Sequence, residues 1–344
     1  MGSSDKIVAF MDWFSYAVSL SSLPSQHTRR QASTSPLILH PMTGKLCSMK
    51  EAIADTVQDG TSVYIEGFTH LICFAAGHEI IRQGRKNLTA IRLTPDLVYD
   101  QMIEAGCVSK VIFGWAGNPG VGSLHGFRRK TEAKYSERIE VEEYSHFGMV
   151  SRLQAGAANL PFWPLKNYGG TDIPAHTANI KTVVCPFTGQ ELSAVPAMHP
   201  DVVVLHCQRS DKEGNAQAWG LYGTQKESAF AAKKVIVVCE ELVESSEIRR
   251  DPNRTLIPSF LVSHVVHEPW GCHPSFVQGF YDRDNDFYVS WDDLTREPET
   301  YKNYLDEFVY GCADRSAYMK KMGGDLMAKL KAKALMSDGV NYGF

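Results

Sequence analysis

Five consecutive residues, Glu66-Gly67-Phe68-Thr69-His70, place a carboxylate, a glycine, a hydroxyl and an imidazole directly after an apolar run. A carboxylate and an imidazole can move protons or act as nucleophiles. A glycine there lets a ligand approach the backbone, whose N–H groups can then face a carbonyl or a phosphate. The same residues also read as an ordinary strand-to-helix turn, and on residue types alone the two readings weigh evenly. A second cluster, Gly114-Trp115-Ala116-Gly117-Asn118-Pro119-Gly120-Val121-Gly122-Ser123, is dense in glycine. It lacks the lysine of a phosphate loop, and His125 stands where a nucleophile elbow needs its last glycine. It therefore predicts a tight turn or a close approach to a ligand. His264, His267 and His273, with Cys272 beside them, have the residue types of a metal site. The segment 260–266 reads as a strand, where an offset of three puts side chains on opposite faces. Polar groups at a sheet end, with no metal, are expected. Glu240-Glu241 follows a strong apolar run; two acids at a strand end can be catalytic, but the favoured expectation is that they cap a helix or pair with Arg249 and Arg250.

These groups need elements to hold them. Short β-rich runs alternate with helical patterns from Cys47 onward. Strands are expected at 61–66, 88–93, 108–114, 139–144, 201–206 and 233–239. Helices are expected at 49–58, 74–84, 95–105 and 145–159, the third opened by Pro95 and the last capped by Ser145. The runs DVVVLH and KKVIVVC are apolar throughout, as strands covered on both faces are. The fold class is α/β, with an open, mainly parallel sheet and helices on both faces. Ligands bind at the carboxyl ends of strands in such sheets.

The chain has 344 residues, 44% hydrophobic, with a formal net charge of −4, enough to bury a sizeable core. Lysine and arginine are scattered and form no basic stripe, so no nucleic-acid partner is expected. No apolar run approaches the roughly 18 residues of a membrane span. The eight cysteines contain no CxxC pair and read as reduced thiols of an intracellular protein. Residues 1–41 are rich in serine and form a separate N-terminal extension; 42–330 is the folded domain and 331–344 a tail. The expected location is cytoplasmic, or the mitochondrial matrix if residues 1–41 are a transit peptide.

The stretch EGFTHLICFAAGHEIIRQGRKNLT (66–89) resembles the A-subunit signature of class I CoA-transferases, as do TPDLVYDQMIEAG (94–106), GNPGVGSLHGFRR (117–129) and EEYSH (142–146). Later segments, including VVVLHCQRSDKEGNAQAWG (202–220), CEELVESSEIRRDPNRTLIP (239–258) and PWGCHPSFVQGFYDRDN (269–285), resemble the A subunit of glutaconate CoA-transferase in particular. The resemblance spans residues 45–330.

It implies a reaction in which a glutamate carboxylate attacks an acyl-CoA thioester, giving first a mixed anhydride and then an enzyme–CoA thioester that the acceptor acid takes over. The family's glutamate lies on the B subunit, in a Glu-Asn-Gly or Glu-Ser-Gly motif, and neither tripeptide occurs in this chain. The implied partner is the B chain of such an enzyme. The implied substrates are an acyl-CoA and a carboxylic acid, with glutaconate or another dicarboxylate or oxoacid fitting. No tightly bound cofactor is implied; the coenzyme A thioester is substrate. Glu66 is this chain's candidate catalytic residue, although the glutaconate enzyme's A subunit has glycine there. Gly67, Phe68, Thr69, His70, Gly117, Asn118, Gly120, Ser145, His206 and Gln208 are the candidates for binding substrate or CoA.

Two alternatives remain at this level. One is a CoA-ester ring-opening hydrolase on the same scaffold, using Glu66 or Glu143. The other is a non-catalytic metabolite-binding module. A direct prediction follows from the missing tripeptide: the purified chain transfers no CoA from acetyl-CoA or glutaryl-CoA to an acid. Robust turnover without a partner chain would refute the division of labour.

Overall fold

The structure, a computed structural model, describes residues 44–332 apart from 119, 133, 135 and 137. The extension expected at 1–41 lies outside the described residues, as does most of the 331–344 tail. Strands β1 (Ser62–Ile65), β2 (Leu88–Arg92), β3 (Val108–Phe113) and β4 (Glu140–Glu143) alternate with helices α1 (Met49–Thr56), α2 (Phe74–Arg82), α3 (Leu97–Glu104), α4 (His125–Thr131) and α5 (His146–Ala157). Strands β5 (Phe162–Leu165), β6 (Lys181–Val184) and β7 (Glu191–Pro196) follow, then β8 (Val202–Ser210), β9 (Ala216–Gln217), β10 (Lys234–Leu242), β11 (Thr255–Ile257) and β12 (His264–His267). The later helices that matter for packing are 225–231, 285–296, 298–304 and 315–322.

The main sheet runs β4-β3-β2-β1-β8-β10-β12, parallel throughout, with β9 and β11 added antiparallel beyond the end of β8. The six expected strands all form, and those begun at 201 and 233 run on to Ser210 and Leu242. The strand expected over 260–266 is confined to His264–His267, because 259–261 winds into a 3-10 turn. The antiparallel sheet β5-β7-β6 has no counterpart in the sequence-based expectation.

Side-chain alternation sorts the core into two layers. Val63, Ile65, Val202, Val204, Ile236 and Val238 face α1, α2 and α3, together with Trp291, Tyr301 and Tyr304. Tyr64, Val203, Leu205, Val235 and Val237 face the other way, towards Met149 and Leu153 of α5 and Ala229. Strands covered on both faces need apolar residues at successive positions, which is why β8 and β10 carry the unbroken apolar runs VVVL and VIVVC.

The packing of α3 rests on one buried carboxylate. Asp100 accepts from Phe127 N–H at 2.7 Å, from Trp291 Nε1–H at 3.1 Å and from Tyr301 O–H at 2.9 Å. It thereby ties α3 to α4 and to helices 285–296 and 298–304. Burial pushes this carboxyl up to about 6 against those three donors. Asp100→Ala strands all three donors, each costing about 1–3 kcal/mol when buried and unpaired. Urea unfolding of the variant is expected to show a loss of at least about 3 kcal/mol. The native carboxyl holds its proton to higher pH than an unfolded one near 3.9. Wild type therefore gives up part of its lead as pH rises from about 4 to 6.

Candidate active site

The neighbours of β1 and β8 diverge: β2, β3 and β4 build outward from one, β10 and β12 from the other. That divergence makes a crevice at the carboxyl ends of the two strands, where open α/β sheets bind their ligands. The ladder ends there one residue past β1, with Glu66 N–H donating to Val204 O at 3.0 Å. Along β8 the next strand to pair on that side is β9, beginning at Arg209. Two loops meet at the gap, the turn Gly67–His70 and the segment Gly220–Thr224.

Their contact is built on Glu66, a carboxylate only 3% exposed. Its Oε1 accepts from Thr224 N–H at 2.7 Å and its Oε2 from the Thr224 hydroxyl at 3.1 Å. With its hydrogen directed at Glu66, that hydroxyl accepts from Tyr64 O–H at 2.7 Å. Burial first, and the Glu66 charge second, push the Tyr64 phenol well above its usual value, so it stays a donor. Gly223 leaves the room for this contact: a Cβ there would stand 2.3 Å from Glu66 Oε1, so the carboxylate would have to shift.

His70 makes the second link. It is fully buried, with Nδ1 2.9 Å from Leu221 O and Nε2 3.0 Å from Gln278 N. A carbonyl on one side and an N–H on the other assign the neutral Nδ1–H tautomer. Burial lowers its pKa, consistent with that form. Gly67 has φ 138°, and a Cβ on it would lie 2.8 Å from His70 O. Its glycine is therefore demanded by the turn's own packing. Thr69 and Leu71 hold positive φ of 59° without being glycine, a strain of about 1–3 kcal/mol each. Phe68, Leu221 and Tyr222 are exposed here, at 38%, 45% and 46%. The site is thus an apolar rim above buried polar groups that already have partners.

The other expected residues hold neighbouring loops in place. Gly117 N–H donates to Pro95 O at 3.1 Å, and Asn118 Nδ2 donates to Tyr288 O at 2.7 Å. Gly120 supplies φ 77° in the same loop. Ser145 caps α5 by accepting from Gly148 N–H at 3.0 Å. Gln208 brackets Trp219, donating to its carbonyl at 2.8 Å and accepting from its N–H at 3.2 Å. His206 pairs with Glu240 at 2.8 Å.

Glu240 differs from expectation. Instead of capping a helix or meeting Arg249 or Arg250, it also accepts from Tyr281 O–H at 2.6 Å and Trp270 N–H at 2.8 Å. Glu241 pairs with Arg209 at 2.7 Å, and Arg250 with Glu247 at 3.0 Å. Strand pairing decides this, since β8 and β10 run side by side and bring Arg209 opposite Glu241. The histidines singled out above go separate ways: His264 to Asp55, His267 to Glu240 O, and His273 to Asp284 and Tyr318. Among the described residues no group of three or more His, Cys, Asp or Glu is placed to hold a metal ion. No helix among them is long and apolar enough to cross a membrane.

Sequence reasoning missed Leu221, Tyr222, Gly223 and Thr224. The signal available was the pair of glycines bracketing Leu221-Tyr222 between two elements. It also passed over Arg92, the one charged residue in the apolar run LTAIRL.

Comparison with known proteins agrees with this architecture. The description of the matching family model is coenzyme A transferase, over residues 46–268. The chain is 47% identical over 278 residues to the A subunit of the 3-oxoadipate CoA-transferase of Pseudomonas knackmussii, covering 81% of this chain and 98% of that one. It is 32% identical to the A subunit of the glutaconate CoA-transferase of Acidaminococcus fermentans, covering 83% and 94%. The crystal structure of that enzyme superposes with a TM-score of 0.80 over 84% of this chain and 96% of the other. A cholesterol ring-cleaving hydrolase IpdA subunit of Rhodococcus jostii is 25% identical, covering 78% and 93%. The chain belongs to the coenzyme A transferase family. Within that family it is an enzyme subunit of the A type, whose relatives work with a second subunit.

Gly223→Ala tests the site's central contact. It is expected to push Glu66 off Thr224, costing about 1–3 kcal/mol in urea unfolding, and to lower turnover of the assembled enzyme. Gly169→Ala, where a Cβ would meet nothing within 4 Å, serves as the control and is expected to behave as wild type.

Proposed function

We propose that this chain joins a B-type partner chain to form a CoA-transferase whose acid substrate is a dicarboxylic oxoacid of the 3-oxoadipate type. The observation that carries this reading is the 47% identity to the A chain of a 3-oxoadipate CoA-transferase over 98% of its length. The covalent carboxylate is assigned to the partner. Glu66 supports that assignment: both of its oxygens already accept from Thr224, and the family's glutamate tripeptide does not occur in this chain.

The steps follow from carboxylate chemistry. The partner's glutamate attacks the acyl-CoA carbonyl, the carbon–sulfur bond breaks, and CoA leaves as a thiolate from a mixed anhydride. The thiolate attacks the glutamyl carbonyl, releasing the donor acid and leaving CoA on the enzyme as a thioester. The acceptor carboxylate then displaces the thiolate to form a second anhydride. The thiolate attacks the acceptor's acyl carbon, giving the new acyl-CoA and freeing the glutamate. The cycle has no net proton or electron change.

This chain's share is binding and polarisation. Phe68, Leu221 and Tyr222 offer apolar contact to the acyl chain or the pantetheine arm. The N–H groups of the turn at Gly67–His70 face the reacting carbonyl. Gly117, Asn118, Gly120, Ser145, His206 and Gln208 act on the site through the loops they fix. The folded unit is residues 42–330. The eight unpaired cysteines support a reducing compartment, the cytoplasm or the mitochondrial matrix.

Covalent trapping separates this reading from the ring-opening hydrolase. The co-purified complex is incubated with acyl-CoA and treated with borohydride, which reduces the enzyme thioester to an alcohol. Mass spectrometry is expected to find the modified glutamate on the B chain, in wild type and in Glu66→Gln alike. Modification of Glu66 itself contradicts the assignment. Ring cleavage without any trapped glutamate, abolished by Glu66→Gln, establishes the hydrolase instead.

A further inference from the structure

The run LTAIR carries one charge into a buried strand and places it at the strand's last residue. Arg92 ends β2 and is 1% exposed. Its Nη1 lies 3.0 Å from Asp96 Oδ1, which is buried as well. Its Nη2 donates to the carbonyl of Gly67 at 2.6 Å. The Tyr99 ring lies against the guanidinium, 5.6 Å from its carbon to the ring centroid. Taking an ion pair out of water is costly, and apolar residues of similar volume often serve stability as well or better. Asp96 neutralises the charge and, because the guanidinium is a rigid fork, fixes the direction of the remaining N–H groups. One of those groups grips a backbone carbonyl of the turn at the crevice.

That grip has a geometric consequence. The Gly67–Phe68 peptide is trans, as the only cis bond among the described residues is His273–Pro274. In a planar trans peptide the carbonyl and the following N–H point in opposite directions. With the Gly67 carbonyl drawn onto Arg92, the Phe68 N–H is turned away from the buried guanidinium. The rest of the turn is held in the same sense. Ser275 Oγ–H donates to Thr69 O at 2.7 Å. The backbone φ is positive at Gly67, Thr69 and Leu71 but not at Phe68 or His70.

We propose that Arg92 is a positioning residue for acyl transfer: by holding the Gly67 carbonyl it aims the Phe68 N–H at the thioester oxygen. This rests on the transferase reading given above. The oxygen gains negative charge as a carboxylate adds to the thioester, and a donor already in place stabilises that charge without reorganising. Losing one such donor lowers kcat by about 10²–10³-fold. Arg92 never touches the substrate, so binding of acyl-CoA is expected to change little.

The test uses the co-purified complex and two variants. Arg92→Lys keeps the charge but loses the fork. Arg92→Gln combined with Asp96→Asn removes both charges, so that no buried ion is left unpaired. Each is measured for co-elution with the partner, for kcat and KM, and for the infrared carbonyl band of bound acetyl-dethia-CoA. This ketone analogue cannot release a thiol. In wild type the band is expected below its position in water. In both variants it is expected to move back up, with kcat lower by about 10²-fold and KM within about threefold. A band and kcat like wild type in an assembled variant would falsify the inference. So would variants that fail to co-elute, or that change KM with the band unmoved, since Arg92 would then be purely structural. Wild-type transfer is measured first. An inactive wild-type complex removes the transferase reading and this inference together, whereas an active one with unshifted variants removes this inference alone.

Discussion

The two hydrogen bonds from Thr224 to the Glu66 carboxylate join what the chain order keeps apart. Glu66 directly follows β1, whereas Thr224 lies 158 residues further on, after the β8–β9 hairpin. A buried carboxylate is tolerated only when its charge is met by donors. Here a backbone N–H and a hydroxyl meet it, with Tyr64 behind the hydroxyl. The approach is close enough that a side chain at position 223 would displace the carboxylate. Fixing this pair fixes the spacing of the two loops that rim the crevice, and His70 then fastens the same loops a second time through Leu221 and Gln278.

Beneath the rim, β8 and β10 form a spine apolar on both faces, interrupted by a few polar side chains near their carboxyl ends. His206, Gln208 and Glu240 all lie there, and Gln208 and Glu240 are spent on holding loops. Glu240 gathers Tyr281 and the Trp270 N–H, Gln208 gathers Trp219, and His206 completes the Glu240 cluster. The loops that approach the crevice are thus anchored from below by buried hydrogen bonds, which are costly to leave unmade. Such anchoring leaves the backbone of the turn at Gly67–His70 and the apolar side chains Phe68, Leu221 and Tyr222 as the groups available to a ligand.

The chemistry that the proposed site can draw from this chain is accordingly polarisation and apolar contact. Glu66 and His70, the acid and the imidazole that first draw the eye, are both committed to neighbouring loops. An A-type chain with a covalent carboxylate supplied from outside is consistent with that economy of groups. It also explains why a strained turn, with positive φ at Thr69 and Leu71, is held by contacts from Arg92, Ser275, Leu221 and Gln278: strain persists only where the surroundings over-determine it.

The sequence by itself determined the class of fold, the six principal parallel strands, the family and the turn at Glu66–His70. Those features are local or repetitive. Apolar runs such as VVVLH and VIVVC report burial on both faces directly, and ordered motifs report ancestry. Tertiary structure decided the partners. That Glu66 meets Thr224, that Glu240 meets Tyr281 rather than an arginine, and that Arg92 holds Gly67 depend on which strands lie side by side. Strand order follows from packing two apolar layers over the whole chain. A hydrogen bond between residues 158 positions apart leaves no trace in the spacing of either. The β5-β7-β6 sheet escaped for a related reason: its strands are short and half-exposed, and their apolar residues carry no periodicity strong enough to declare them.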